Sequence, residues 1–490
     1  MKILVVGNGG REHALVWKLL ESPKVSKVIC VPGNGGTATL ERCQNLPMRV
    51  DDFEGIARFA NVQGVSLVVV GPEVPLAGGI TDFLQSQDLK VFGPTKTGAQ
   101  IESSKSWAKL FMKKAGIPTA KSKTFIDTAK AREYITQQGA PIVVKADGLA
   151  AGKGVVVAET ITQAYGAVDA LWDQGVRKLV VEEYLTGQEV SVFAVTDGLT
   201  YRTLLTAQDH KRIGEGDTGE NTGGMGAYSP APLVTPELMQ RIEREVLDPT
   251  LAEFQRQKIT YCGVLYAGLM ISPQGDIKVL EFNCRFGDPE TQAILPLLET
   301  PLHQILLACV EQKLADFPPI EWKEKQSVCV VAASGGYPGG FQKGKEISGL
   351  DLEAEDVFIF HAGTKQKGKG FVTDGGRVLG VTALAEDFDR AIAKAYNAIH
   401  QIEFEGIYYR PDIAYRVKSK PPQVTPPPLV APTEQDSTKE DSIEEDSIEE
   451  DSMIPEILPS PPSPSPASET PSVPEASTPP NPQQPPSNSV

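Results

Sequence analysis

Histidine and cysteine are scarce in this chain, five and six among 490 residues. The cysteines, at 30, 43, 262, 284, 309 and 329, show neither the paired spacing of a zinc site nor the density of a disulfide scaffold, so they read as buried thiols of a reducing compartment. No run of about 18 apolar residues occurs, so no transmembrane helix is expected. The start, "MKILVVGNGGREH", enters a strand at once, without a charged n-region or an apolar h-region. No signal peptide is read, and a cytoplasmic location is expected. A basic excess is missing as well. Of the formal −16, −12 belongs to residues 421–490, which hold 13 acids and one lysine, and only −4 to the first 420 residues. The near balance argues against nucleic-acid and membrane partners.

The last 70 residues lack any aromatic side chain and hold 19 of the 39 prolines, around the repeat "EDSIEEDSIEEDSM". Such a stretch cannot bury enough apolar area to offset its ordering entropy, so 419–490 is expected to be a disordered acidic Pro/Ser tail whose partner, if any, stays open. The rest is long enough for about three domains and reads as an α/β and α+β multidomain chain. Residues 1–102 alternate strand and helix signals ("KILVVG", "REHALVWKLLES", "KVICVPG", "SLVVVGPE"), as a doubly wound α/β domain does. Residues 103–190 begin with a helix and form a small α+β unit. Residues 191–325 supply a larger antiparallel sheet, and 326–418 are β-rich with one late helix.

The stretch "VVKADGLAAGKGVVV" (143–157) places Lys145 and Lys153 around a glycine turn. It is not a Walker loop: three residues, not four, separate Gly148 from Gly152, and Gly154 stands where a hydroxyl is required. The flanks read strand–loop–strand, a hairpin whose glycine loop can still offer N–H groups to phosphate. "GNGGREH" opens like a dinucleotide fingerprint, but Glu12 stands where the third glycine belongs and no acid closes the second strand, which disfavours NAD. In "VLEFNCRFGDPETQ" (279–292), Glu281 and Asn283 lie two apart on a strand and so share a face. A carboxylate and an amide oxygen there suit Mg²⁺, which shares its shell with substrate phosphates. Arg285 follows on the same face, then Asp288 and Glu290. "EEYLTGQEV" offers Glu182, Glu183 and Glu189 between two strands. "AQDHKRIGEGDTGENTGGMGAYSPAP" (207–232) is polar and glycine-rich with little to pack; it reads as a functional or disordered loop in which His210 is a candidate acid or base.

In this order, "SSK" (103–105), "VVKADGLAAGKGV", "VEEYLTGQEVS", "QDHKR", "NTGGMGAYSP" and "LEFNCRFGDPETQ" resemble the phosphoribosylamine–glycine ligases (glycinamide ribonucleotide synthetases) of the ATP-grasp superfamily. The resemblance spans about residues 1–418. It implies ATP-dependent joining of glycine to 5-phosphoribosylamine through a glycyl phosphate, in a monomer needing ATP and Mg²⁺ or Mn²⁺. It further implies that Lys105 and Lys145 hold the ATP phosphates beneath a lid carrying Gly148, Gly152 and Gly154. Glu182, Glu183 and the following backbone would take adenine, and Glu189 the ribose. Glu281 and Asn283 would bind the metal, and Arg285 would stabilise the transferring phosphoryl group. Asp209, His210 and Lys211 would act in catalysis. Arg212, Asn221, Gly223, Gly224, Asp288 and Glu290 would face glycine, and Gly9, Gly10 and Glu73 the phosphoribosyl group. Another ATP-grasp carboxylate–amine ligase would share the ATP and metal residues but differ at 207–232. The family likeness does not extend to the tail.

Overall fold

The computed structural model describes residues 1–149, 154–352 and 354–418. Gly152 and Lys153 of the glycine loop, and the tail expected to be disordered, lie outside the described residues.

The N-terminal part forms a five-stranded parallel sheet in the order Cys43–Asn45, Lys27–Pro32, Lys2–Gly7, Leu67–Val70, Val91–Phe92. Its central strands, "KILVVG" and "LVVV", are buried on both faces, as a parallel sheet covered by helices requires. The order reverses beside Lys2–Gly7, so the loop after that strand opens into the crevice at the carboxyl ends of the strands. The side chain of Glu12 fills that loop. Its carboxylate accepts from Gly9 N at 2.5 Å, and a Cβ on Gly71 would meet it at 2.1 Å. The place of a dinucleotide pyrophosphate is therefore occupied by an anion of the protein itself.

Helix Lys105–Ala115, capped by Ser104, leads to a small unit with its own core of Phe125, Ile135, Val144, Val168 and Val181. Its antiparallel sheet runs Ser122–Phe125, Leu179–Glu183, Ile142–Ala146, Val155–Ala158, and the last two strands form the expected hairpin around the glycine loop. A second antiparallel sheet, in the order Tyr201–Thr203, Gln188–Thr196, Gly263–Ile271, Ile277–Asn283, packs against the N-terminal domain through a shared apolar core.

The C-terminal sheet crosses the expected boundary at 325. Its order is Gln208–Asp209, Gly226–Ser229, Gln326–Ala333, Arg377–Ala385, Val357–His361. The 207–232 segment is thus not one free loop: Gly226–Ser229 pairs with Gln326–Ala333, and residues 225–229 are fully buried. The strand is too short to show an alternating pattern, and its apolar partners lie a hundred residues onward in sequence. Helix Phe388–Ile399 covers this sheet.

Candidate active site

A cleft of about 1170 Å³ lies between the two antiparallel sheets and reaches the N-terminal and C-terminal domains. The strand Ile277–Asn283 forms one wall. Its register against Gly263–Ile271 shifts at Leu280, so Gly268 faces Glu281 while Leu269 faces Val279. Such a bulge re-aims side chains. Strict alternation would send Leu280 away from Glu281, yet both line the cleft, together with Asn283.

Opposite stands Lys145, buried on Ile142–Ala146, in ion-pair contact with Glu182. The same carboxylate holds Lys109 at 2.5 Å. Burial, with the nearby cations Lys109, Lys105 and Lys211 and against Glu281, lowers Lys145 to about 7. Burial likewise lowers Lys109 to about 8. Lys105 donates to Gly148 O at 2.7 Å, and Asp147 beside it accepts from Ser106 N at 3.0 Å and Ser106 Oγ at 2.6 Å. Helix Lys105–Ala115 is thereby fastened to the base of the glycine loop. Gly148 and Gly154 line the cleft. Glu183 pairs with Lys278 at 2.7 Å, and Glu189 with Lys211 at 2.8 Å.

Burial works to raise Glu281, but Lys211, Lys145, Lys105 and Arg285 outweigh it and hold the carboxylate below its ordinary range. Asn283 Oδ1 accepts from Arg285 at 3.1 Å. Two hard oxygens on one wall fit a divalent cation. Among the described residues no group of three or more His, Cys, Asp or Glu side chains is placed to hold a metal ion. Arg285 is itself bound on two sides, to Glu73 Oε2 at 3.2 Å and Glu102 Oε1 at 2.8 Å.

At the far end, Asp209 and Glu290 approach each other beside Tyr266. Glu290 accepts from Tyr266 Oη at 2.6 Å and from Ser191 Oγ at 3.2 Å. Burial first, then Glu290 and Glu189, push Asp209 up to about 7 against the pull of Lys211. Asp288 joins this cleft to a second cavity of about 250 Å³ lined by Asn8, Gly9, Asn34, Thr364 and Arg377. Arg377 comes from the C-terminal sheet and donates to Gly223 O and, at 2.7 Å, to Asp288 O. Arg212, Asn221 and Gly223 line the main cleft.

Three expectations need correction. His210 is fully buried outside both cavities: its Nε2 accepts from Ala414 N at 2.9 Å and its Nδ1 lies 3.4 Å from Asp217. Burial lowers it to about 4, so it is a neutral packing residue that fastens the segment to the C-terminal domain, not an acid or base. Gly10 lines neither cavity; a Cβ there would meet Gln292 Nε2 at 2.4 Å, so it is a packing glycine at a helix start. Gly224, at φ +109°, lines neither cavity, and a Cβ there would meet Pro289 Cδ at 2.4 Å. Sequence reasoning also missed Glu102, Lys109 and Arg377. Glu102 stands directly before the "SSK" motif and Lys109 one helical turn after Lys105, which were usable signals; Arg377 offered none.

Family models match almost all of the described chain: the phosphoribosylglycinamide synthetase N domain over 1–102, its ATP-grasp (A) domain over 103–291 and its C domain over 327–416. The chain belongs to the phosphoribosylglycinamide synthetase family. The phosphoribosylamine–glycine ligase of Nostoc sp. is 64% identical over 425 residues, 86% of this chain and 100% of that protein. The crystal structure of the Thermotoga maritima phosphoribosylamine–glycine ligase superposes with a TM-score of 0.73 at 34% identity, covering 84% of this chain and 100% of that one. The biotin carboxylase domain of Hydrogenobacter thermophilus 2-oxoglutarate carboxylase, solved with MgADP and bicarbonate, shares the fold at a TM-score of 0.64 and 16% identity, over 83% of this chain and 91% of that one.

Proposed function

We propose that this chain joins glycine to 5-phosphoribosylamine at the expense of ATP. A glycine carboxylate oxygen attacks the γ-phosphorus and ADP leaves. The amine of phosphoribosylamine then attacks the carbonyl carbon of glycyl phosphate, phosphate leaves, and glycinamide ribonucleotide remains. The observation that carries this reading is a pair of adjoining cavities that share Asp288 and Arg377: buried lysines and an oxygen-donor pair at one end of the first, carboxylates at its other end, and a glycine-rich second cavity beyond them.

In this reading adenine lies among Val143, Val157, Met270 and Leu280, beside the 183–185 backbone and Glu183. Glu182, which also lines the cleft, orients Lys145 and Lys109. Glu189 takes the ribose of ATP. Lys105 and Lys145 neutralise the phosphates, which phosphoryl transfer needs more than covalent help. Glu281 and Asn283 would hold Mg²⁺ or Mn²⁺, which when bound neutralises phosphate charge and aligns the oxygens. Asp209 and Glu290 hold the ammonium of glycine, and Lys211, Arg212, Asn221 and Gly223 its carboxylate side. Gly9, Asn34, Thr364 and Arg377 take the 5′-phosphate of phosphoribosylamine in the second cavity, while Glu73 and Asp288 meet its sugar. The enzyme acts as a cytoplasmic monomer on small molecules.

ADP release by the purified protein with Mg²⁺ and ATP tests the reading. Glycine and freshly made phosphoribosylamine are added singly and together, and glycine is replaced by alanine or bicarbonate in parallel. Full turnover should require both substrates. Turnover with a different acid would keep the ATP chemistry but overturn the assignment of residues 207–232.

A further inference from the structure

Arg285 has little left to offer a phosphoryl group as it stands. Its Nε meets Glu73 Oε2 at 3.2 Å, and its Nη2 serves Glu102 Oε1 at 2.8 Å and Asn283 Oδ1 at 3.1 Å. Its Nη1 donates to Phe286 O at 3.2 Å. Two carboxylates already balance its single charge, and the edge a bidentate phosphate would use is partly spent. The two carboxylates are not equivalent. Glu102 is nearly inaccessible and is fixed by Cys284 N at 2.8 Å. The side chain of Glu73 keeps 23% of its exposure, belongs to the N-terminal domain, faces the cleft, and has Arg11 as a second partner at 3.7 Å. Glu73 is thus the partner that can leave, and Arg11 is the cation that can receive it.

We propose that the Glu73–Arg285 ion pair couples the phosphoribosyl site to phosphoryl transfer. Occupation of the phosphoribosyl site draws Glu73 to the sugar hydroxyls and Arg11, which releases Arg285 toward the γ-phosphate. Glu73 is a positioning residue for this step, acting through Arg285. The proposal rests on the reading given under Proposed function. Its chemical consequence is thrift: without the second substrate, glycyl phosphate would react with water to give glycine and phosphate, a net hydrolysis of ATP. A guanidinium held back until the amine is present suppresses that loss.

The test is glycine-dependent ADP release without phosphoribosylamine, with and without ribose 5-phosphate, which offers the phosphate and hydroxyls but no amine. In the wild-type enzyme ribose 5-phosphate should raise this release several-fold. Glu73→Gln should release ADP several-fold faster than wild type in its absence and respond little to it, while losing coupling of ADP to glycinamide ribonucleotide. Glu73→Asp, which keeps the charge, should retain part of the response. A wild-type enzyme that ligates normally but ignores ribose 5-phosphate, with a Glu73→Gln variant that shows no leak, would overturn the coupling and leave the ligase reading standing. No ADP with all substrates present would overturn the ligase reading itself.

Discussion

Lys145 Nζ lies 3.4 Å from the main-chain oxygen of Leu280, so the buried lysine of the small sheet reaches the opposite wall at the bulge that turns Leu280 and Glu281 into the cleft. Lys145→Met should therefore lower kcat/KM for ATP by about 10² to 10³-fold, as loss of a buried charge aimed at developing negative charge does. The wild-type profile should carry the same signature. With Lys145 at about 7 in the free enzyme, kcat/KM for ATP should fall as pH rises through that value, because the neutral amine no longer offsets phosphate charge. Bound triphosphate favours the cation, so kcat should hold to higher pH. Identical profiles for kcat and kcat/KM would count against this role.

Glu281→Gln keeps the shape of the side chain and removes its charge from among Lys211, Lys145, Lys105 and Arg285. Ligation should fall by about a thousandfold or more, the several kcal/mol that a lost divalent cation represents. Circular dichroism should stay native. Mn²⁺ binding followed by electron paramagnetic resonance in the presence of ADP should weaken in parallel, and unchanged binding would move the cation site away from this strand.

His210 provides the opposite case. Since Nε2 accepts from Ala414 N in a fully buried place, His210→Ala should cost about 1–3 kcal/mol of stability through the orphaned N–H, yet leave the pH dependence of kcat unaltered. His13 is held the same way, its Nδ1 accepting from His361 N at 2.8 Å. Burial lowers His13 to about 3 and His361 to about 4, as it lowers His210 to about 4. The folded state thus binds fewer protons than the unfolded chain below the ordinary histidine range. Stability should be lost as pH falls from about 6.5 toward about 4. Urea titrations across that window should show the loss, with a smaller slope in His210→Gln.

These residues also show what could be read from sequence. Lys145 and Glu281 announced themselves because each is a charge inside an apolar strand, where burial demands a reason. The parallel sheet of the first domain was legible for the same physical cause, in its near-continuous apolar strands. His210 misled because "QDHKR" is polar in sequence, while its burial is supplied by residues 410–416 about two hundred positions away. The presence of Leu280 beside Glu281 in the cleft had no sequence signal, because alternation assumes an unbroken ladder and one inserted residue reverses it. Glu102 and Arg377 gain their meaning only from partners on other domains.

Removal of residues 419–490 should leave kcat and the three KM values within about twofold of the full chain, as expected of a change far from the chemistry. The alignment with the Nostoc enzyme spans 425 residues and the whole of that protein, and the C-domain model ends at 416. The reacting groups placed above all lie before that limit. The −12 charge of residues 421–490 should instead be felt in colloidal behaviour, since net charge governs solubility rather than fold. The shortened chain should precipitate at lower ammonium sulfate concentration. A fall in turnover that grows with dilution would show that the tail holds an assembly together, and a fall independent of concentration would bring it to the cleft.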